Sequence, residues 1–193
     1  MFERFFSSPL LSFTLAPLLM AGRVWASDYG DAPDTFRTTS ASGGPVHLSG
    51  GVVRLGNQVD YESDGAPHAQ ALGDDLAGVL NDDDGITFTS RLLPGASAYL
   101  QIVAPGGGRV SAWIDSNNNG VFGSNGTGSG ESISLNPSQL SAGTSTVVFT
   151  MPSAAPSTGN LFARFRIQTS GSLPAAGSPG SPSVASTGEV EDY

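Results

Sequence analysis

Nowhere after residue 26 does this chain repeat apolar residues every 3.6 positions for three helical turns. Short apolar or alternating runs recur instead between clusters of Gly, Pro, Asn and Ser, which is the spacing a sheet dictates. Strands are predicted near 52–55, 86–92, 98–103, 109–114, 132–135, 146–151 and 161–169. Such a set in a chain of this size predicts an all-β fold, an antiparallel β-sandwich of jelly-roll-like form with long acidic loops. In the run 161–169, Leu161, Ala163, Phe165 and Ile167 share one face, while Phe162, Arg164, Arg166 and Gln168 share the other. The first set is assigned to the core. Arg164 and Arg166 face either acids or solvent.

The first 26 residues read as a secretory signal peptide: Arg4 near the start, an apolar stretch from about Leu10 to Ala21, and Val24-Trp25-Ala26 before the cut. The stretch is interrupted by Ser12, Thr14 and Pro17 and is too short to span a bilayer. Residues 27–193 are then expected to form a single domain with no membrane insertion after cleavage, secreted or displayed at a cell surface. Secretion permits disulfides, yet the chain has no cysteine, so its loops need another kind of staple.

Charge points to what that staple is. The chain has 17 Asp and Glu against 8 Arg and no Lys, which repels nucleic acid and attracts cations. Asp60, Glu62, Asp64, Asp74, Asp75, Asp82, Asp83 and Asp84 crowd into one stretch, and carboxylates at that density need either disorder or a cation. The segments 28–50 and 56–85 read as long loops over the sandwich, and 170–187 as a flexible one.

One motif has ligand spacing. Asp115-Ser116-Asn117-Asn118-Asn119-Gly120-Val121 fits the start of a calcium loop, with the side chains of Asp115, Asn117 and Asn119 and the carbonyl of Val121 pointing at one centre. Position twelve is Gly126 rather than Glu, so this is no EF-hand; Glu131 is the first acid downstream that can return to an ion. The same residues also fit a plain hairpin turn around Asn119-Gly120. Asp28, Asp31, Asp82, Asp83, Asp84, Glu191 and Asp192 are the further candidate Ca2+ ligands, with the chain ends expected near the acid cluster. Catalytic sets are poorly supplied. There is no Cys or Lys, His47 and His68 fall in predicted loops, and no G-x-S-x-G elbow occurs, so no enzyme is expected.

The sequence also resembles a known family. The residues that carry the resemblance are Asp28-Tyr29-Gly30-Asp31-Ala32-Pro33-Asp34, Leu55-Gly56, Val59-Asp60-Tyr61-Glu62, Gly73-Asp74-Asp75 and Asp82-Asp83-Asp84-Gly85-Ile86. They continue through Ala112-Trp113-Ile114-Asp115, Ala163-Arg164-Phe165-Arg166 and the terminal Gly188-Glu189-Val190-Glu191-Asp192-Tyr193. In order and content they are similar to the GEVED domain family. The resemblance implies a bacterial secreted or cell-surface module that binds calcium, with Asp115, Asn117, Asn119 and Glu131 carried over by position. Asn119 stands where the family usually has an acid. The expected partners are an extracellular protein or a glycan, or copies of the chain itself in an extracellular fibre.

Overall fold

The computed structural model describes residues 27–48, 51–73, 76, 82–123, 126, 128, 130–155 and 159–193. The predicted leader, 1–26, and the acids Asp74 and Asp75 lie outside the described residues. In chain order come β1 (Ser27–Asp28), a 3-10 turn (Asp34–Phe36), β2 (Pro45–Leu48), β3 (Ile86–Phe88), β4 (Ser97–Ala104) and β5 (Gly108–Ile114). They are followed by β6 (Ser132–Ile133), β7 (Gln139–Leu140), β8 (Gly143–Thr150), β9 (Ala163–Gln168), β10 (Ser183–Ala185) and β11 (Glu189–Asp192). The fold is an all-β sandwich.

Alternation builds its two main sheets. In β4, Ala98, Leu100, Ile102 and Ala104 are all fully buried, and β8 sets Val147 opposite Leu100 and Phe149 opposite Ala98. With β3 these strands form an antiparallel sheet ordered β3-β4-β8. The second sheet, β11-β9-β5-β6 with β7 at the far end of β5, is also antiparallel. Its inner face, Val110, Ala112, Ile114, Ala163, Phe165 and Ile167, joins the first sheet in one core. Phe88 and Phe165 meet edge to face across it, with ring centroids 6.1 Å apart.

The second sheet is buried on its other face too. Trp113 packs there with Ala32, Phe36, Phe122 and Ala175, against Phe162. Arg166, on the same face, reaches His47 and Ser183 of the third sheet, β1-β2-β10, in which β2 and β10 run parallel, the exception to the antiparallel expectation. Parallel partners need a long crossover, and here most of the chain intervenes.

Three expectations need correcting. No strand forms at 52–55, although Val53 and Leu55 are in the core, because the Leu55 N–H goes to the Glu189 carboxylate. The segments 28–50 and 170–187 are not only loops: they supply β2 and β10 and bury Ala175 and Ala176 completely. His47 sits in β2, fully buried, rather than in a loop.

Candidate metal centre

The staple that replaces disulfides is the carboxylate. All fourteen described Asp and Glu residues accept at least one backbone N–H. Many of these bonds join distant stretches: Asp31 Oδ2 holds Gly73 N–H at 2.6 Å, Asp84 Oδ1 holds Asn57 N–H at 2.9 Å, and Asp83 Oδ1 holds Asp192 N–H at 3.2 Å. Hydrogen bonds to charged groups contribute about 1.5–3 kcal/mol each.

Three of the acids converge. Asp28 on β1, Asp82 before β3 and Glu189 on β11 are all buried, and each offers a ligand oxygen within 4.8 Å of the other two. Asp28 Oδ2 accepts Val190 N–H at 2.7 Å, Asp82 Oδ2 accepts Asp60 N–H at 2.7 Å, and Glu189 Oε2 accepts Leu55 N–H at 2.5 Å. Glu189 Oε1 is buried with no hydrogen-bond partner among the described residues. Burial, then the neighbouring Asp28 and Glu191, push the Glu189 carboxyl well above the usual range. Next to it, burial raises Glu191 to about 8, although Gly85 N–H at 2.8 Å and Tyr193 O–H at 3.0 Å both stabilise its charge. An all-oxygen set with concentrated negative charge fits a hard divalent cation such as calcium.

A second acidic group lies in the loop after β5. Asp115 is fully buried, with Oδ1 taking Asn119 N–H at 3.0 Å and Oδ2 taking Gly120 N–H at 2.9 Å. Glu131 does return to this loop, where Oε1 accepts Ser116 N–H at 2.9 Å and Oε2 accepts Gly123 N–H at 2.6 Å. Asn117 and Asn119 are exposed, Val121 is half-buried, and Asn119 Oδ1 is turned to Val121 N–H. The two buried carboxylates thus hold the turn through its backbone.

A family model, the GEVED domain, matches residues 109–193. Over this stretch, less than half of the chain, the sequence is similar to the GEVED domain. No curated protein and no solved structure matches the chain. Each residue of the GEVED signature has its own physical task. Gly188 has φ 104°, and a Cβ there would overlap the Ile167 carbonyl. Glu189 and Glu191 lie opposite Ile167 and Phe165, while Val190 and Asp192 lie opposite Arg166 and Arg164. Tyr193 stacks edge-on against Phe88 and Phe165, and its hydroxyl accepts Ile86 N–H at 3.1 Å.

The two arginines of β9 meet different partners. Arg164 grips Asp192 with two bonds, Nε to Oδ1 at 2.6 Å and Nη2 to Oδ2 at 2.7 Å, both residues being wholly buried. Arg166 instead donates from Nε to His47 Nε2 at 3.0 Å and from its Nη atoms to Pro174 O and Ser183 O. An arginine only donates, so Nε2 of His47 is the acceptor and Nδ1–H bonds Thr187 O at 2.9 Å. Burial, then the Arg166 charge, hold His47 well below its ordinary pKa and keep it neutral.

Of the residues singled out from the sequence, the fold brings Asp28 and Asp82 into the triad. Asp31, Asp83, Asp84, Glu191 and Asp192 serve instead as acceptors of backbone N–H groups, with Glu191 near enough to raise Glu189. Glu189, expected from the sequence to lie near the acid cluster with Glu191 and Asp192, is not among the candidate ligands named there, although its place on a strand with Glu191, on the parity of the core, is the signal for it. The GEVED match supplies Glu189 alone; Asp28 and Asp82 lie before Arg109, outside it.

Proposed function

We propose that the chain is a secreted, non-catalytic structural or adhesive module of the cell surface whose acidic loops are ordered by calcium, held by Asp28, Asp82 and Glu189. The observation that carries this reading is the buried Glu189 Oε1, without a hydrogen-bond partner among the described residues, beside two further buried carboxylates. Ionised groups in such a place cost several kcal/mol each unless an opposite charge joins them. Calcium supplies that charge and accepts only hard oxygens, which is the donor set present. The leader-like residues 1–26 favour export, and no helix among the described residues is long and apolar enough to cross a membrane.

Calorimetric titration of the chelator-treated protein with calcium tests the reading. Binding is expected in the wild-type protein and is lost in Glu189→Gln, which keeps the Leu55 contact but removes the charge. At a calcium level a hundred times the dissociation constant, the folded state gains about 2.7 kcal/mol. Absence of heat, together with a melting temperature unchanged between chelator and calcium, overturns it.

A groove of about 500 Å3 along β5 favours a glycan as the partner of this module. Arg109, Ser111, Ser132, Ser134 and Ser138 line it with hydroxyls and one cation, and a glycan array read with Arg109→Ala tests that partner. A fibre built through the β11 edge has an obstacle to overcome. The outward N–H groups of Val190 and Asp192 already donate to Asp28 and Asp83, so a second copy must displace both carboxylates.

A further inference from the structure

The two terminal segments run side by side in the same direction. Asp28 Oδ2 meets Val190 N–H, and a few residues on, Asp31 N–H at 3.1 Å and Ala32 N–H at 2.9 Å both meet Asp192 Oδ2. Gly30 lies so close that a Cβ would overlap the Asp192 carboxylate. The contacts advance together, 28 with 190 and 31–32 with 192, which makes the pair parallel. In a parallel pair, the start of one segment and the finish of the other sit at opposite ends of the joint. Tension applied before Ser27 and after Tyr193 therefore drags one segment along the other and strains every cross-link at once. An antiparallel pair pulled in the same way would open one bond at a time from its shared end.

We propose that this joint is a mechanical clasp resisting tension between the two ends, and that calcium locks it; the second half rests on the calcium reading above. Asp28 and Glu189 stand on the two sides of the sliding joint, so an ion they share loses a ligand before the segments part. On the β11 side the strand is anchored twice, by its ladder to β9 and by the buried grip of Arg164 on Asp192. Across the joint itself no ladder joins 28–32 to β11 among the described strand pairings; the bonds from Val190, Asp31 and Ala32 all end on side-chain carboxylates. That makes it the place where one added ion changes resistance most.

Single-molecule pulling tests the clasp. The chain lacks cysteine, so two introduced thiols serve as unique handles. The whole 193-residue chain, expressed without export, carries Ala26→Cys and a cysteine appended after Tyr193. A second form carries Thr87→Cys and Thr146→Cys, which stand opposite Gln101 on either side of β4 and load that sheet without passing through the joint. Forced unfolding reads the unfolding rate. With free calcium at a hundred times its dissociation constant, an ion that must leave first slows rupture from the end handles about a hundredfold relative to chelator. The cross-sheet handles are expected to show no such dependence, and Glu189→Gln, or Asp82→Asn where the first variant does not fold, abolishes it at the ends. Calorimetric binding without any effect at the end handles, or with an equal effect at both pairs, overturns the clasp and leaves the calcium reading standing. Absence of calorimetric binding overturns that reading and the lock with it.

Discussion

Replacing Asp192 by Asn changes one oxygen for one amide group and removes a single buried charge. Four N–H donors converge on this carboxylate: Arg164 Nε on Oδ1, and Arg164 Nη2, Asp31 N and Ala32 N on Oδ2. An asparagine can keep its oxygen towards the last three, but its NH2 then faces the Arg164 Nε–H, donor against donor. The guanidinium stays fully buried with its carbonyl and hydroxyl partners Phe36 O, Arg37 O, Ala175 O and Thr38 Oγ1, and without a counter-charge. Breaking a buried pair from one side costs about 3–5 kcal/mol, against a total stability of about 5–15 kcal/mol. Urea unfolding followed by circular dichroism should therefore show a lower midpoint with an unchanged slope, and melting should fall by roughly 6–20 °C. The same loss is expected in chelator and in calcium, because Asp192 is not one of the three converging acids. Asp192→Asn combined with Arg164→Met should recover part of the loss, since the uncompensated charge is then gone. A loss below about 1 kcal/mol would mean that neutral acceptors alone satisfy Arg164, and the argument from the buried pair would fail.

Two other expectations follow from the carboxylates. Asp115→Ala leaves the N–H groups of Asn119 and Gly120 without their acceptor and should lower stability by about 2 kcal/mol in chelator, measured by urea unfolding; a loss seen only with calcium would make the loop a metal site instead. In chelator, the folded state holds the Glu191 proton up to about pH 8, whereas an unfolded glutamate releases it near 4.5. The folded state thus binds more protons between those values, so stability is highest near pH 4.5 and falls as pH rises through 8, with Glu189 acting in the same direction. Calcium should flatten that slope, and melting curves across the range with and without the ion check it.

The main sandwich was legible because its strands are long enough to alternate. β4, β8 and β9 each run six to eight residues, and in β9 the inward parity names Phe165 and Ile167 as core directly. β1, β2 and β10 have two to four residues, too few for a period, and their neighbours are far along the chain, so only the folded structure reveals the third sheet. Arg164 and Arg166 could be placed on the face away from the core by parity alone. That one meets Asp192 and the other His47 depends on which strands lie over that face. The triad was half readable: acid density pointed to Asp82 and the chain start to Asp28, but their meeting with Glu189 is set by topology. In the loop after β5, the residue pattern permitted a turn and an ion site alike, because Asn-Gly suits a tight turn while Asp and Asn at that spacing also offer oxygens to a cation.

The match to residues 109–193 begins almost where β5 does, and that has a consequence for anyone who would transplant the domain. A fragment cut before Arg109 loses β3 and β4, so Val147 and Phe149 would turn from a packed interior to water. It also loses Asp28 and Asp83, whose carboxylates accept N–H groups of the last strand, and Asp82, which converges on Glu189. The signature is thus a seam between two halves, and any transplant of it has to carry the stretch from Ser27 onward along with it.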